Sequence, residues 1–355
     1  MTVLKVHSAI NSIGLLALIT CAAVWVAQVA RGEEASWNTY KSKFLAPEGR
    51  IVDTGNRGIS HSESQGYGML LAEAADDRPT FELLWQWTSK NLKRPDDHLF
   101  GWRWNPANQG GKVDDWNNAT DGDLLIAWAL IRAGQHWQNQ SWLDAAKLIA
   151  RDVQTKLTRK SSYGLLLLPA VNGFIKPDGY IVNLSYWIFP AFRALRKIDN
   201  SVVWDRLGAS GLGLLNKARF SSWKLPPDWL LVGGTKLSIA PGFKPTYAYD
   251  AVRIPLYLAW SGMGTSSDFE SFRQFASANN NEPPASVSLD TGELGKDKAS
   301  PGMRAIYRLI ADIGDQNPKI PDSPYPEIPP DENYYSASLG LLSNLAAKER
   351  GSQMQ

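Results

Sequence analysis

Three short stretches of this 355-residue chain hold acids in settings where a proton could be given or taken. In "HSESQGYGML", residues 61–70, Glu63 stands among hydroxyls, an amide and an aromatic ring. In "NNATDGDLLIAW", residues 117–128, Asp121 and Asp123 precede an apolar run. In "YAYDAVRIPLYLAW", residues 247–260, Asp250 comes three residues before Arg253. One carboxylic acid and one carboxylate facing each other are general acid–base equipment. Placed across a sugar linkage, they are what glycoside hydrolysis requires.

Each acid also has a plainer reading. Ser62 and Gln65 fit a capping box, which puts Glu63 in a first helical turn, where the helix dipole favours an acid. A general acid needs a raised pKa, so burial or a neighbouring carboxylate would have to outweigh that dipole. Thr120 and Asp123 fit a second capping box, and Asp121 projects from the same helix start as a first-turn acid or a functional one. A calcium loop starting at Asp121 fails, because its twelfth position is Arg132 where a bidentate Glu is required. Pro255 suits a first turn, so Asp250 lies at or just before a helix start. Asp250 and Arg253 would share a helix face as an ion pair. Tyr247, Tyr249, Val252, Ile254 and Leu256 make a poor surface and argue against an exposed pair.

The elements that must position these acids read as helices. Helical patterns cover 36–45, 64–76, 79–93, 120–134, 141–157, 185–197, 201–219, 250–262, 267–280, 301–314 and 334–348, and strand patterns are few. This is an all-α fold, many of whose helices are apolar over much of their circumference, as inner helices of a two-layered barrel are. The connections 95–119, 158–183 and 220–249 are long and rich in Trp, Tyr, Gly and Pro, which suits ordered cleft-forming loops. Residues 318–333 hold six prolines and read as an extended tether. If the three helix starts meet at one end, they make a cleft.

Composition narrows the partners. The net charge is +2 with no basic run, which gives no sign of nucleic acid. One cysteine and four scattered histidines leave no intramolecular disulfide and no transition-metal site, and no cofactor is expected. The chain has 15 Trp and 12 Tyr; some of these rings belong to the core, and so many also suit a surface that stacks on flat, partly apolar ligands. Residues 1–32, with the apolar run 13–30, read as a signal peptide or an N-terminal anchor, so any membrane contact is through an uncleaved leader. One domain is expected over 33–350, with a tail at 351–355, as a monomer.

Taken together, "SESQGYGM", "ATDGDLLIAWAL" and "YDAVRIP" resemble, in order, the motifs of family 8 of the glycoside hydrolases. "NLSYW" and "YYSASLGLL" extend the resemblance over about 36–347. It is strongest to the periplasmic endo-1,4-β-glucanases that accompany bacterial cellulose synthase. It implies an (α/α)6 barrel with an open substrate cleft at one end, an inverting mechanism, a periplasmic or secreted enzyme, a β-1,4-glucan chain as substrate, and association with a cellulose synthase complex. By motif position, Glu63 would be the general acid, Asp250 the general base, Asp121 the binder of the sugar before the cleavage point, and Arg253 the group that orients that sugar and Asp250. Tyr249, Tyr186 and Trp102 or Trp104 would stack on or hydrogen-bond the substrate. The family has Gly where this chain has Ser64. Asp121 near Glu63 would raise the acid's pKa by repulsion. Chitosan, xylan or mixed-linkage glucan as substrate, and a non-catalytic glucan-binding role, are the alternatives. A terpene-type enzyme is disfavoured, because "DDRPT", "DDHLF" and "DDWNN" all lack the last acid of DDxxD.

Overall fold

The computed structural model describes residues 32, 34–108, 110–314, 323, 325 and 327–354, so the apolar leader lies outside the described residues. The helices are α1 (34–44), α2 (Ser62–Ala74), α3 (Arg78–Asn91), α4 (Thr120–His136), α5 (Gln140–Lys156), α6 (Phe189–Asp199), α7 (Val203–Lys217), α8 (Arg253–Ser261), α9 (Ser266–Ala276), a short α10 (Ala278–Asn281), α11 (Pro301–Ile310) and α12 (Tyr334–Met354). Local chemistry sets many of their ends. Asp77 caps α3 by accepting from the Thr80 N–H, with Pro79 in the first turn. Ser300 caps α11 in the same way, just before Pro301. Gly262, at φ 67°, ends α8 in the left-handed conformation that glycine adopts without strain.

Burial sorts the helices into two layers. In α2, 11 of 13 residues are buried; in α4, 14 of 17; in α8, all nine. Only 4 of 14 are buried in α3 and 6 of 17 in α5. A helix buried on every side lies inside, and one with a single apolar stripe covers it. Helix contacts close a ring: α2 on α4, α4 on α6, α6 on α8, α8 on α11, α11 on α12, and α12 back on α2. The main hydrophobic cluster runs from Trp37 to Ala347. No described helix is long and apolar enough to cross a membrane.

The long connections are not plain loops. With two short strands elsewhere, β1 (Ser60–His61) and β11 (Val287–Ser288), they form β2 (Gly101–Asn105), β3 (Lys112–Asn118), β4 (Thr158–Ser161), β5 (Gly164–Leu167), β6 (Ile175–Lys176), β7 (Gly179–Val182), β8 (Leu230–Gly233), β9 (Lys236–Ile239) and β10 (Thr246–Tyr247). The larger sheets have the orders β1-β2-β3 and β6-β7-β8-β9, both antiparallel. These strands are two to seven residues long, and β3, "KVDDWNN", lacks apolar alternation, so periodicity gives no signal for them. Of the proline-rich stretch, residues 323, 325 and 327–333 are described and none of them is helical. In the proline-rich stretch, Tyr325 and Ile328 are buried, and Tyr325 exchanges two hydrogen bonds with the Asn344 side chain of α12. At the other end, α12 continues through 351–354, where a tail was expected.

Two glycines let the starts of α2 and α4 meet. A Cβ on Gly66 would stand 2.5 Å from Leu125 Cβ, and one on Gly122 would overlap Ser62. The interior cannot absorb an added methyl at either contact. Gly66→Ala is therefore expected to cost about 1–3 kcal/mol of stability. Thermal unfolding of the purified variant checks this, and an unchanged Tm would contradict the close-packed helix pair.

Candidate active site

Arg253 is the centre of the site. Its side chain is 2% exposed, yet it meets three carboxylates. Nη1 donates to Glu63 Oε2 and, at 2.9 Å, to Asp121 Oδ2; Nη2 donates to Asp250 Oδ1 at 2.8 Å. Nη2 also donates to Ser185 Oγ at 3.0 Å, and the guanidinium lies 5.7 Å from the Tyr186 ring centre. The planar fork of an arginine suits this task, because it presents several fixed donors at once.

Three helix starts bring the acids to it. Glu63 is in the first turn of α2, but the cap differs from the sequence reading. His61, not Ser62, is the cap: its Nδ1 accepts from the Ser64 N–H, and Ser64 Oγ accepts from the His61 N–H. The box has moved back one residue, and Gln65 instead bonds Ile51 and Thr88 in the core. Asp121 is in the first turn of α4, where the expected Thr120–Asp123 box is also absent. The Thr120 hydroxyl donates to the Leu168 carbonyl. Buried Asp123 accepts from the Phe100 N–H and the Asn118 amide, tying α4 to the β2–β3 hairpin. Asp250 lies on a turn just before α8.

The acids open into a cleft of about 630 Å³. Glu63, Asp121, Asp250, Arg253, Tyr186, Tyr249 and Trp102 all line it. Tyr249 is 56% exposed, and the Trp102 indole donates to Asp115 Oδ2 at 2.7 Å. Trp104 does not line the cleft; it packs edge-on against Trp87, under the Arg50 guanidinium. Register shifts around Arg103 break the alternation of β2, so residues two apart do not share a face as they would on a regular strand. Sequence reasoning missed one wall, made by Asp53, Asn56, His61, Asn333, Tyr334 and Tyr335. Tyr334 and Tyr335 fall within "YYSASLGLL", which carried part of the resemblance without a role. Tyr335 donates to the Tyr249 carbonyl and so joins the two sides. Among the described residues, no group of His, Cys, Asp or Glu is arranged to hold a metal ion.

The electrostatics follow from burial. Desolvation pushes the Asp121 carboxyl up to about 7, against the pull of Arg253 and with the repulsion of Glu63. Burial also raises Asp250, partly offset by Arg253 and reinforced by the charge of Asp121. Burial works against the charge of Arg253, but the surrounding acids, Glu63 first, hold it well above its usual value. One positive charge does not balance three carboxylates, so burial and mutual repulsion raise Asp121 and Asp250 in spite of Arg253.

Carboxylates gathered round a buried arginine, in an open cleft walled by Tyr and Trp, are the equipment of a sugar-cleaving enzyme. The chain belongs to family 8 of the glycosyl hydrolases, whose family model matches residues 8–349. A probable endoglucanase from Novacetimonas hansenii is 40% identical over 319 residues, 88% of this chain and 90% of that protein. The structure of an endo-β-1,4-glucanase from Acetobacter xylinum matches with a TM-score of 0.82 at 39% identity, covering 91% of this chain and 98% of the other. A family 8 endoglucanase from Klebsiella pneumoniae matches with a TM-score of 0.82 at 35% identity, covering 89% and 99%.

Removing the guanidinium gives a signed prediction. Arg253→Met leaves buried carboxylates without a counter-charge, at a cost of about 3–5 kcal/mol near pH 8. Asp121 and Asp250 have folded pKa values above their unfolded ones. Their favourable share of stability is complete below the unfolded values and is lost as pH rises through the folded ones. Without Arg253 those folded values climb further, so the variant's deficit is smaller near pH 5 than near pH 8. Chemical denaturation at both pH values checks this; equal deficits would contradict the cluster's charge balance.

Proposed function

We propose that this chain is an inverting endo-1,4-β-glucanase acting on cellulose or nascent glucan chains, built as an (α/α)6 barrel with its cleft open at one end. The observation that carries this reading is the single buried guanidinium holding Glu63, Asp121 and Asp250 at the mouth of an aromatic cleft. The ring of α2, α4, α6, α8, α11 and α12, with α3 and α5 outside it, supports the barrel. The endo-β-1,4-glucanase activity named for the Acetobacter relative supports a β-1,4-glucan, and the endoglucanase names of the Novacetimonas and Klebsiella relatives support internal cleavage. The apolar leader supports export to the periplasm or beyond, and the likeness to the Acetobacter enzyme is compatible with service to a cellulose-synthesising system.

The roles follow from exposure. The Glu63 side chain is 15% exposed and reaches the cleft, where it gives its proton to the glycosidic oxygen as the bond to the anomeric carbon breaks. Asp250 is 29% exposed and takes a proton from a water that attacks that carbon on the opposite face. Asp121, 2% exposed at the floor of the cleft, is less open to water than Asp250 and serves the sugar before the cleavage point. Tyr186, Tyr249 and Trp102 give the rings against which glucose units stack.

Glu63→Gln is expected to fold and to lose roughly 10²-fold or more of its activity on unactivated glucan, the usual share of acid catalysis. A glucoside with a good leaving group needs little protonation, so that substrate is partly spared. Asp250→Asn is expected to lose both substrates alike, because water must be activated whatever departs. Kinetics on the two substrates decide the matter. An active Glu63→Gln enzyme on native glucan would return Glu63 to a helix-start acid.

A further inference from the structure

Asp250 has no regular helix to hold it, since it sits on the turn before α8. Its aim depends on what fixes that turn. The backbone N–H groups of Ala248 and Ala251, two residues before Asp250 and one after, both donate to Asp228 Oδ1, at 3.0 and 2.8 Å. The other oxygen, Oδ2, accepts from the Thr246 hydroxyl at 3.1 Å, and the Asp228 N–H donates to the Thr246 carbonyl at 2.8 Å. Asp228 is 7% exposed and does not line the cleft. A carboxylate buried this deeply is costly, and a structural ion pair would normally explain it. Asp228 has no salt-bridge partner among the described residues. Its bonds all go to the segment that carries Asp250.

We propose that Asp228 is the positioning residue for the general base: its buried carboxyl clamps the backbone on both sides of Asp250 and aims that side chain at the attacking water. The inference rests on the assignment of Asp250 as base. Around Asp250 stand Arg253, Asp121, Glu63, Tyr186 and Tyr335, with the Asn183 amide approaching it without closing a full-geometry hydrogen bond. Tyr335 donates to the Tyr249 carbonyl and Arg253 Nε to the Asp250 carbonyl at 3.3 Å, but of the groups around Asp250 Asp228 alone accepts from the backbone N–H groups on both sides of it. Burial first, and the charge of Asp250 second, push the Asp228 carboxyl up to about 7. A protonated carboxyl still accepts both N–H groups through Oδ1. Asparagine keeps that oxygen and is a close mimic of the neutral form.

The test is steady-state kinetics on a soluble cello-oligosaccharide with Asp228→Ala, Asp228→Asn and Asp250→Asn. Asp228→Ala frees the turn, and a misplaced group of about 1 Å is worth roughly 10²-fold in rate. The expected result is a fall in kcat of that order, with KM within about threefold of the parent, and recovery of most of kcat in Asp228→Asn. A merely structural role would lower the Tm and leave the kcat of the folded enzyme alone. If Asp228→Ala does not fold, Thr246→Val removes one anchor of the carboxyl and is expected to lower kcat by roughly two- to tenfold at unchanged KM, the worth of one hydrogen bond. An unchanged kcat in Asp228→Ala, or in Thr246→Val where that variant is needed, overturns the proposal. So does an Asp228→Asn enzyme as poor as the alanine variant. Full activity in Asp250→Asn overturns the base assignment itself, and the clamp's purpose with it.

Discussion

The structure turns on one constraint: a single buried guanidinium must serve three carboxylates that come from three separated parts of the chain. Burying any of these charges alone would be prohibitive. Gathered together, they leave the cluster short of positive charge, and with burial this raises the Asp121 and Asp250 carboxyls. The tools of the chemistry and the terms of its stability are therefore the same contacts.

The fold is arranged to make this meeting happen. Glu63 and Asp121 each stand in the first turn of an inner helix, where the backbone N–H groups favour a negative charge. For Asp121 burial outweighs that effect, and its carboxyl is raised to about 7. Gly66 and Gly122 let α2 and α4 approach until side chain meets backbone, which sets the two acids beside each other. Asp250 arrives differently, on a turn held from beneath, and keeps more of its side chain open to the cleft. Two acids are fixed by helices and the third by a clamp, which gives each a distinct exposure.

Much of this was legible in the sequence, for physical reasons. Long amphipathic or fully apolar runs announce helices, and each of the eleven expected stretches overlaps one. The four central residues stood out because acids and an arginine beside aromatics and apolar residues make a poor surface. Other features were set by tertiary contacts and left no local trace. The pairing of β1 with β2 joins Ser60 to Trp104 across the fold. His61 displaces Ser62 as the cap because its ring lies between the Ser64 N–H and Asp53. Trp104 looks as suitable as Trp102 on paper, but the irregular register of β2 turns it to Trp87 and Arg50. Asp228 carries no motif, and only the folded turn shows what it holds.

The central claim is that Glu63 and Asp250 act from opposite faces of the sugar around the arginine-held cluster. Proton NMR of the first product released from a β-1,4-linked chain tests it directly. Attack by water on the face opposite the leaving group gives an α-anomer first, with the β-anomer appearing only by mutarotation. A β-anomer as the first product would contradict the inverting geometry and remove Asp250 from its role as the base.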